Sequence, residues 1–337
     1  VQTIEAASST TIGELATLQA AFQTLKSDGL TPTSQSALNS FLNSLVTAYA
    51  SGTTLAGDST LLGQFTALYS SSPTSQETTD LTAAYNAAAS AVTSSNITSA
   101  DLTALDTDEA AVVSALGSSS TATFPYFTLV TGQPGGGPVG PGGFGGPGGP
   151  GGPDGGYGGG DSSGSGSTST IATAVATLKA EIQSIEESSG TTIGQLTAIQ
   201  SSFQTLSSDG LTASSESALR SFENSLVTAY ASGTTLASDS TLLSEFVALY
   251  TSSPTTQETT DLTAAYDAIA AAVTSSNITS ADIATLDSDL AAALAAIGST
   301  STSTFPYFNL VTGRNGGPGG FGGGPGGGPG GPGGCQG

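Results

Sequence analysis

The sequence predicts a mainly α-helical fold made of two tandem units, each a bundle of about five helices, and three observations carry that prediction. Apolar residues recur at spacings of three and four through most of the chain. These stripes are punctuated by Gly and by Ser, Thr or Asp in capping positions. Finally, residues 1–132 align with 182–313 at a constant offset of 181 with no insertion or deletion, as in the run NSLVTAYASGTTLA, found from Asn43 to Ala56 and again from Asn224 to Ala237. A period of 181 is too long for a solenoid repeat and suits an independent unit with its own core.

Taken in order, Leu15, Leu18, Phe22 and Leu25 form the first complete stripe, which stops at Asp28-Gly29. Thr31-Pro32 offers a cap and first-turn pair for a second helix, with Leu38, Phe41, Leu45, Val46 and Tyr49 on its buried face and Gly52 at its end. A third starts at Asp58 and carries Leu61, Leu62, Phe65, Leu68 and Tyr69. Pro73-Thr74 opens a fourth with Leu81, Ala84, Tyr85, Ala88 and Val92, and Glu77 in its first turn complements the helix dipole. Thr98 or Ser99 caps a fifth that runs to Gly117. The second copy repeats this order. It is preceded by Ile171, Val175, Leu178, Ile182 and Ile185, stepping by 4, 3, 4 and 3, an a/d stripe for a longer helix. The matching segment of the first copy would fall in a removed leader, leaving a place that a neighbouring chain could fill.

Each unit ends in an aromatic exit, Phe124-Pro125-Tyr126-Phe127 and Phe305-Pro306-Tyr307-Phe308. Proline forbids a helix interior and the following residues are aromatic or β-branched, so an extended segment is expected, either a strap across its own bundle or a latch donated to a neighbouring subunit. The resulting organisation is a first unit over 1–132, a Gly/Pro-rich rod over 133–160, a Ser/Gly linker over 161–169, a second unit over 170–313, and a second rod and tail over 314–337.

Composition removes several functions. The chain has 337 residues with 4 Lys+Arg against 26 Asp+Glu, a formal charge of −22. With bases only at Lys26, Lys179, Arg220 and Arg314, no patch can neutralise a row of phosphates, so nucleic acid is not expected as a partner. No His is present, which removes the imidazole base, the Ser-His and Cys-His pairs and the commonest transition-metal ligand. No catalytic, cofactor-binding or metal-binding residue is therefore expected, and the chain reads as not an enzyme. Asp101, Asp106 and Asp108, with Asp282, Asp287 and Asp289, form the densest carboxylate groups but lack calcium-loop spacing and read as solvated helix faces. No apolar run approaches the length of a membrane span. Ser and Thr number 51 and 50, so hydroxyl groups hydrate the surface that bases would otherwise occupy. Such a chain offers few trypsin-like cleavage sites, and at low pH it approaches neutrality, which favours close packing of subunits.

From Gly137 to Gly160 every third residue is glycine, with Gly137, Gly140, Gly143, Gly146, Gly149 and Gly152 opening successive triplets; the tract from Gly313 keeps the period with one slip. These two tracts, and only these, resemble collagen-like and other glycine-rich extracellular fibre proteins of the polyglycine-II type. In a triple helix only Gly fits at the axis, and Pro presets the polyproline-II dihedrals. The resemblance implies an extended, self-associating rod and leaves open a triple helix, a polyglycine bundle or a flexible spacer.

Three further positions have two readings each. Asn96 and Asn277 begin Asn-Ile-Thr acceptors for N-linked glycans, or serve turn and cap chemistry. Cys335 links chains through a disulfide, or stays a free thiol. The chain begins at Val1, as expected of a secreted product with a processed N-terminus. The expected function is an extracellular structural protein that polymerises with itself through the rods and the aromatic exits into a filament or matrix. The alternative is a monomeric secreted or surface adhesin with flexible spacers.

Overall fold

A computed structural model describes residues 1–115, 124–131, 165–237, 239–300 and 304–313, with side chains described from residue 170 onward in the segment that starts at 165. The described residues are helical and connected by turns, with one isolated antiparallel bridge between Thr11 and Thr192. In the first repeat α1 spans Gln2–Ala7, α2 Ile12–Ser27, α3 Gln35–Ala50, α4 Ser59–Tyr69, α5 Ser75–Ser94, α6 Ser99–Ala115 and α7 Tyr126–Val130. In the second, α8 spans Ser165–Ser188, α9 Ile193–Ser208, α10 Glu216–Ala231, α11 Ser240–Tyr250, α12 Thr256–Ser275, α13 Ser280–Ala296 and α14 Tyr307–Val311. Every helix from α2 to α7 recurs 181 residues later with the same bounds. Alpha-helix α1 matches the last six residues of α8.

Local chemistry explains the boundaries. Thr11 caps α2 in a reciprocal box: its hydroxyl accepts from Glu14 N at 3.1 Å, and Glu14 Oε2 accepts from Thr11 N at 3.0 Å. Thr74 and Glu77 repeat the device at α5. The helix α2 closes with Leu30 N donating to Leu25 O and Gly29 N to Lys26 O, an arrangement that needs the left-handed Gly29, φ 77°. The cap of α3 is Ser34, not the expected Thr31-Pro32 pair. Residue 33 is held outside the helix because Thr33 N donates to Leu68 O at 2.7 Å, and Ser34 is the first hydroxyl that reaches a third-residue amide, that of Ala37.

Two hydrophobic clusters form, one from each repeat. In the first, Phe65 is fully buried and meets Phe22, Phe41, Tyr69 and Tyr85 at ring-centroid distances of 5.2–6.2 Å. Burying one such ring contributes roughly 1.5–3 kcal/mol, which makes this aromatic group the anchor of α4 against α2, α3 and α5. The Tyr85 hydroxyl donates to Leu55 O at 2.7 Å and closes the loop between α3 and α4. Phe246 holds the corresponding place in the second repeat, with Phe222, Tyr250 and Tyr266.

The aromatic exits differ from expectation. Phe124 and Pro125 lie outside any helix, but residues 126–130 turn into the short helix α7, which Pro125 opens as its cap residue. Proline is well suited to that position because it lacks only an amide the first turn would leave unpaired. Tyr126, Phe127, Leu129 and Val130 are buried in the cluster of their own repeat, as are Phe305, Tyr307, Phe308, Leu310 and Val311 in the second. Within one chain the exit therefore packs on its own bundle, in helical and not extended form. Asn43 holds it with both ends of its amide, Nδ2 donating to Phe124 O at 3.0 Å and Oδ1 accepting from Phe127 N at 3.2 Å. Asn224 does the same for Phe305 and Phe308.

Among the described residues one buried side-chain group is unsatisfied. The Tyr69 hydroxyl has no hydrogen-bond partner, and burial raises its pKa well above the ordinary phenol value. Leu42 lies in the first repeat where Glu223 lies in the second, and there the Glu223 carboxylate adds to burial in raising the Tyr250 phenol. Leaving a hydroxyl buried without a partner costs about 1–3 kcal/mol. Tyr69→Phe is expected to raise stability by roughly 1 kcal/mol, and Tyr250→Phe to bring no gain, as measured by urea unfolding of each variant.

Candidate functional site

The feature of the described residues that joins one repeat to the other is a seam formed by the turns that precede α2 and α9. Their sequences are Ser8-Ser9-Thr10-Thr11-Ile12-Gly13 and Ser189-Gly190-Thr191-Thr192-Ile193-Gly194. Ile12 N donates to Thr191 O at 2.8 Å and Ile193 N to Thr10 O at 2.9 Å. Gly13 N donates to Ser189 O at 3.1 Å and Gly194 N to Ser8 O at 3.3 Å. The contact is therefore reciprocal, each turn giving what it receives, which is the signature of a two-fold relation.

The chemistry of a helix start explains why these turns pair. The first amides of an α-helix have no partner within the helix. In α2 the third-residue amide is taken by Thr11, while the first two, those of Ile12 and Gly13, are satisfied by carbonyls of the other repeat. One of these carbonyls, Ser189 O, directly follows α8, and the other, Thr191 O, directly precedes the α9 cap Thr192, so both belong to the turn between those helices. The two repeats approach too closely here for a side chain. A Cβ on Gly13 would lie 2.6 Å from Glu187 O and 2.8 Å from Ser189 O, and one on Gly194 would lie 2.7 Å from Ala6 O and 2.9 Å from Ser8 O.

Behind each turn a polar anchor locks it to its own bundle. Thr10 Oγ1 donates to Ala91 O at 3.0 Å, and Thr191 Oγ1 to Ala272 O at 2.9 Å. Glu14 Oε1 accepts from Ser90 Oγ at 2.8 Å and Ser94 Oγ at 2.6 Å, tying α2 to α5; Gln195 replaces it in the second repeat and donates to Ser275 Oγ at 2.8 Å. The longer helix α8 also crosses the seam, packing on α13 of its own repeat and on α2 of the other, while the short α1 packs on α9. A shallow cleft of about 240 Å³ lies between α2 and α8, lined by Ala16, Gln19, Gln23, Lys179, Gln183 and Glu186.

The residues singled out from sequence fall as follows. Asn96 and Asn277 adopt left-handed conformations, φ 56° and 58°. Asn96 Nδ2 donates to Ala7 O at 3.1 Å and Ser9 Oγ at 2.9 Å, and Asn277 Nδ2 to Ser188 O at 3.0 Å. Ile97 is buried, and Thr98 shares its hydroxyl and amide with the Asp101 carboxylate. The tripeptide thus performs turn and cap work that also braces the seam. Asp106 and Asp287 accept from the hydroxyls of Tyr126 and Tyr307, holding the exits, and burial followed by that contact pushes the Tyr126 phenol up to about 12. Among the described residues no group of three or more Cys, Asp or Glu could hold a metal ion, and no helix is long and apolar enough to cross a membrane. Gly137, Gly140, Gly143, Gly146, Gly149, Gly152 and Cys335 lie outside the described residues.

Sequence reasoning missed the seam. Its signal was present in the Gly that follows Thr-Thr-Ile in both copies, placed in a first turn where a helix former would be expected. Gly13→Ala and Gly194→Ala are each expected to cost about 1–3 kcal/mol by forcing backbone apart. Gly63→Ala, inside α4 with open space around it, is expected to gain roughly 0.5–1 kcal/mol. Thermal unfolding of the three variants distinguishes the seam effect from helix propensity.

At the far ends of α2 and α9 the exposed Asp28 and Asp209 are raised above their ordinary 3.8 by local desolvation and then by neighbouring carboxylates, Asp80 and Glu77 for Asp28 and Asp261 and Glu258 for Asp209. A raised carboxyl is protonated more readily in the folded chain, so its contribution is fully present below the ordinary value and lost as pH rises through the raised one. Asp28→Asn with Asp209→Asn is expected to raise Tm at pH 7, with the gain gone below about pH 3.5, as followed by calorimetry across that range. No protein-family model, curated protein or solved structure matches this chain.

Proposed function

We propose that the chain is an extracellular structural protein, two tandem helical domains each followed by a Gly/Pro-rich segment, that assembles with copies of itself into a filament or matrix. The observation that carries this reading is the run of eight consecutive glycine triplets over 137–160, entered from the same aromatic exit that precedes the second tract. A spacer needs glycine in composition but not in register, whereas packed left-handed helices of three residues per turn need it at every third place.

Other features support the reading. The chain lacks His, and Asn43, Glu14, Asp106 and their counterparts act as fasteners between helices. A hydroxyl-rich surface poor in Lys and Arg suits a long-lived external material. Function in this reading is mechanical, with no cofactor, nucleic acid or chemistry.

Cryo-electron microscopy of the purified native material at neutral pH tests it. Regular fibres with ordered density for 137–160 and 313–335 are expected, and the number of strands would distinguish a triple helix from a polyglycine bundle. Dispersed monomers without density for either tract would overturn the proposal in favour of a bivalent binding protein.

A further inference from the structure

The seam is reciprocal and its two halves share the sequence Ser-x-Thr-Thr-Ile-Gly, so the surface that α9 offers to α2 within one chain is the surface a second copy would offer. We infer that this seam is also the contact between chains: the first repeat of one copy pairs with the second repeat of another, and repetition of that exchange builds an open-ended polymer. The inference deepens the proposed function by naming the contact and its partner, and it rests on that reading for the setting in which copies meet.

Three observations carry it. The amides of Ile12, Gly13, Ile193 and Gly194 are aimed out of their own bundles and are satisfied by a Ser-x-Thr turn, whichever chain supplies it. The glycines admit a carbonyl at a distance no side chain would allow, so the site is shaped for this backbone and few others. Each chain carries the surface twice, at 8–13 in the first repeat and at 189–194 in the second, and a chain with two such surfaces links into lines, not closed pairs alone.

Exchange between chains is an equilibrium against closure within one chain. The 33 residues between the described parts of the two repeats, 132–164, can span at most about 110–120 Å, and any connection of that reach would set an effective concentration on the order of a millimolar. For a chain of 32.6 kDa that is roughly 33 g per litre, a density that a packed fibre exceeds. The dilute chain therefore closes on itself, and the concentrated chain exchanges partners, as in domain swapping.

Thr11 and Thr192 face one another in the antiparallel bridge, a pairing whose Cα separation suits a disulfide. In full chains that also carry Cys335→Ser, Thr11→Cys and Thr192→Cys are made singly and together. Chains are mixed above and below the millimolar range, oxidised, and separated on a non-reducing gel. The expected result is a disulfide-linked dimer in the concentrated mixture of the two single variants, at least tenfold more abundant than in the dilute one. The double variant should give a ladder when concentrated and a closed monomer when dilute. Only closed monomer at every concentration, or no cross-link in any sample, would overturn the inference. Light scattering of the unsubstituted reduced chain across the same range provides a readout independent of the cysteines, with molar mass expected to climb with concentration. Fibres seen in samples whose cross-links are all intramolecular would leave the proposed function standing and sink this contact. Cross-links between chains without fibres would do the reverse.

Discussion

The arrangement of the two repeats depends on the unpaired amides at the starts of α2 and α9. A helix start must place its first amides on something, and most helices use a side-chain cap and water. Here Thr11 and Thr192 satisfy the third-residue amide, and the first two reach across to the other repeat. Once that choice is made, other features follow. Position 13 must be glycine, the ends of α1 and α8 must stop where their carbonyls are needed, and the turn must be braced from behind, which Thr10, Asn96 and Glu14 do. Reciprocity doubles the effect, because the same residues solve the same problem twice with one sequence.

The helices themselves were legible because their signals are local. The stripe Leu81, Ala84, Tyr85, Ala88, Val92, with Pro73-Thr74 at its opening and Glu77 in its first turn, determines α5 with no knowledge of its surroundings, and the structure has α5 where they place it. The start of α3 was less legible. Two hydroxyl residues compete for that cap, Thr31 and Ser34, and the tertiary bond from Thr33 N to Leu68 O decides between them. The aromatic exit was misjudged for a related reason. Proline at position 125 excludes a helix interior but also suits a helix start, and only burial of Tyr126, Phe127 and Val130 against their own bundle selects the second meaning.

The seam was illegible for a different reason. Its bonds run from backbone to backbone, so the side chains that sequence analysis reads carry only the permission, not the contact itself. Glycine at 13 and 194 grants that permission, but from sequence alone the same residue signals a turn or a weak helix. The sequence repeat was visible at once, whereas the way its copies meet is a property of four amides and four carbonyls. The glycine tracts present the opposite case, since their period is legible in sequence and their structure lies outside the described residues.

Charge then decides how such a surface behaves between chains. Formal charge is −22, and the ion pair found among the described residues, Arg220 with Glu216, is exposed and four residues apart on one helix, a kind worth only a few tenths of a kcal/mol. The fold therefore owes little to ion pairs, and the many Ser and Thr hydroxyls, such as Thr17, Thr78 and Thr82, donate back to carbonyls four residues earlier instead of competing for partners elsewhere. Acid or salt should accordingly affect association more than folding. Each chain repels its neighbours at neutral pH over about a Debye length, 8–10 Å at ordinary ionic strength, whereas the seam bonds form at contact between uncharged peptide groups. Lowering the pH removes the long-range repulsion and leaves the short-range complementarity intact, so an exchange between copies would be gated by carboxylates that take no part in the contact itself.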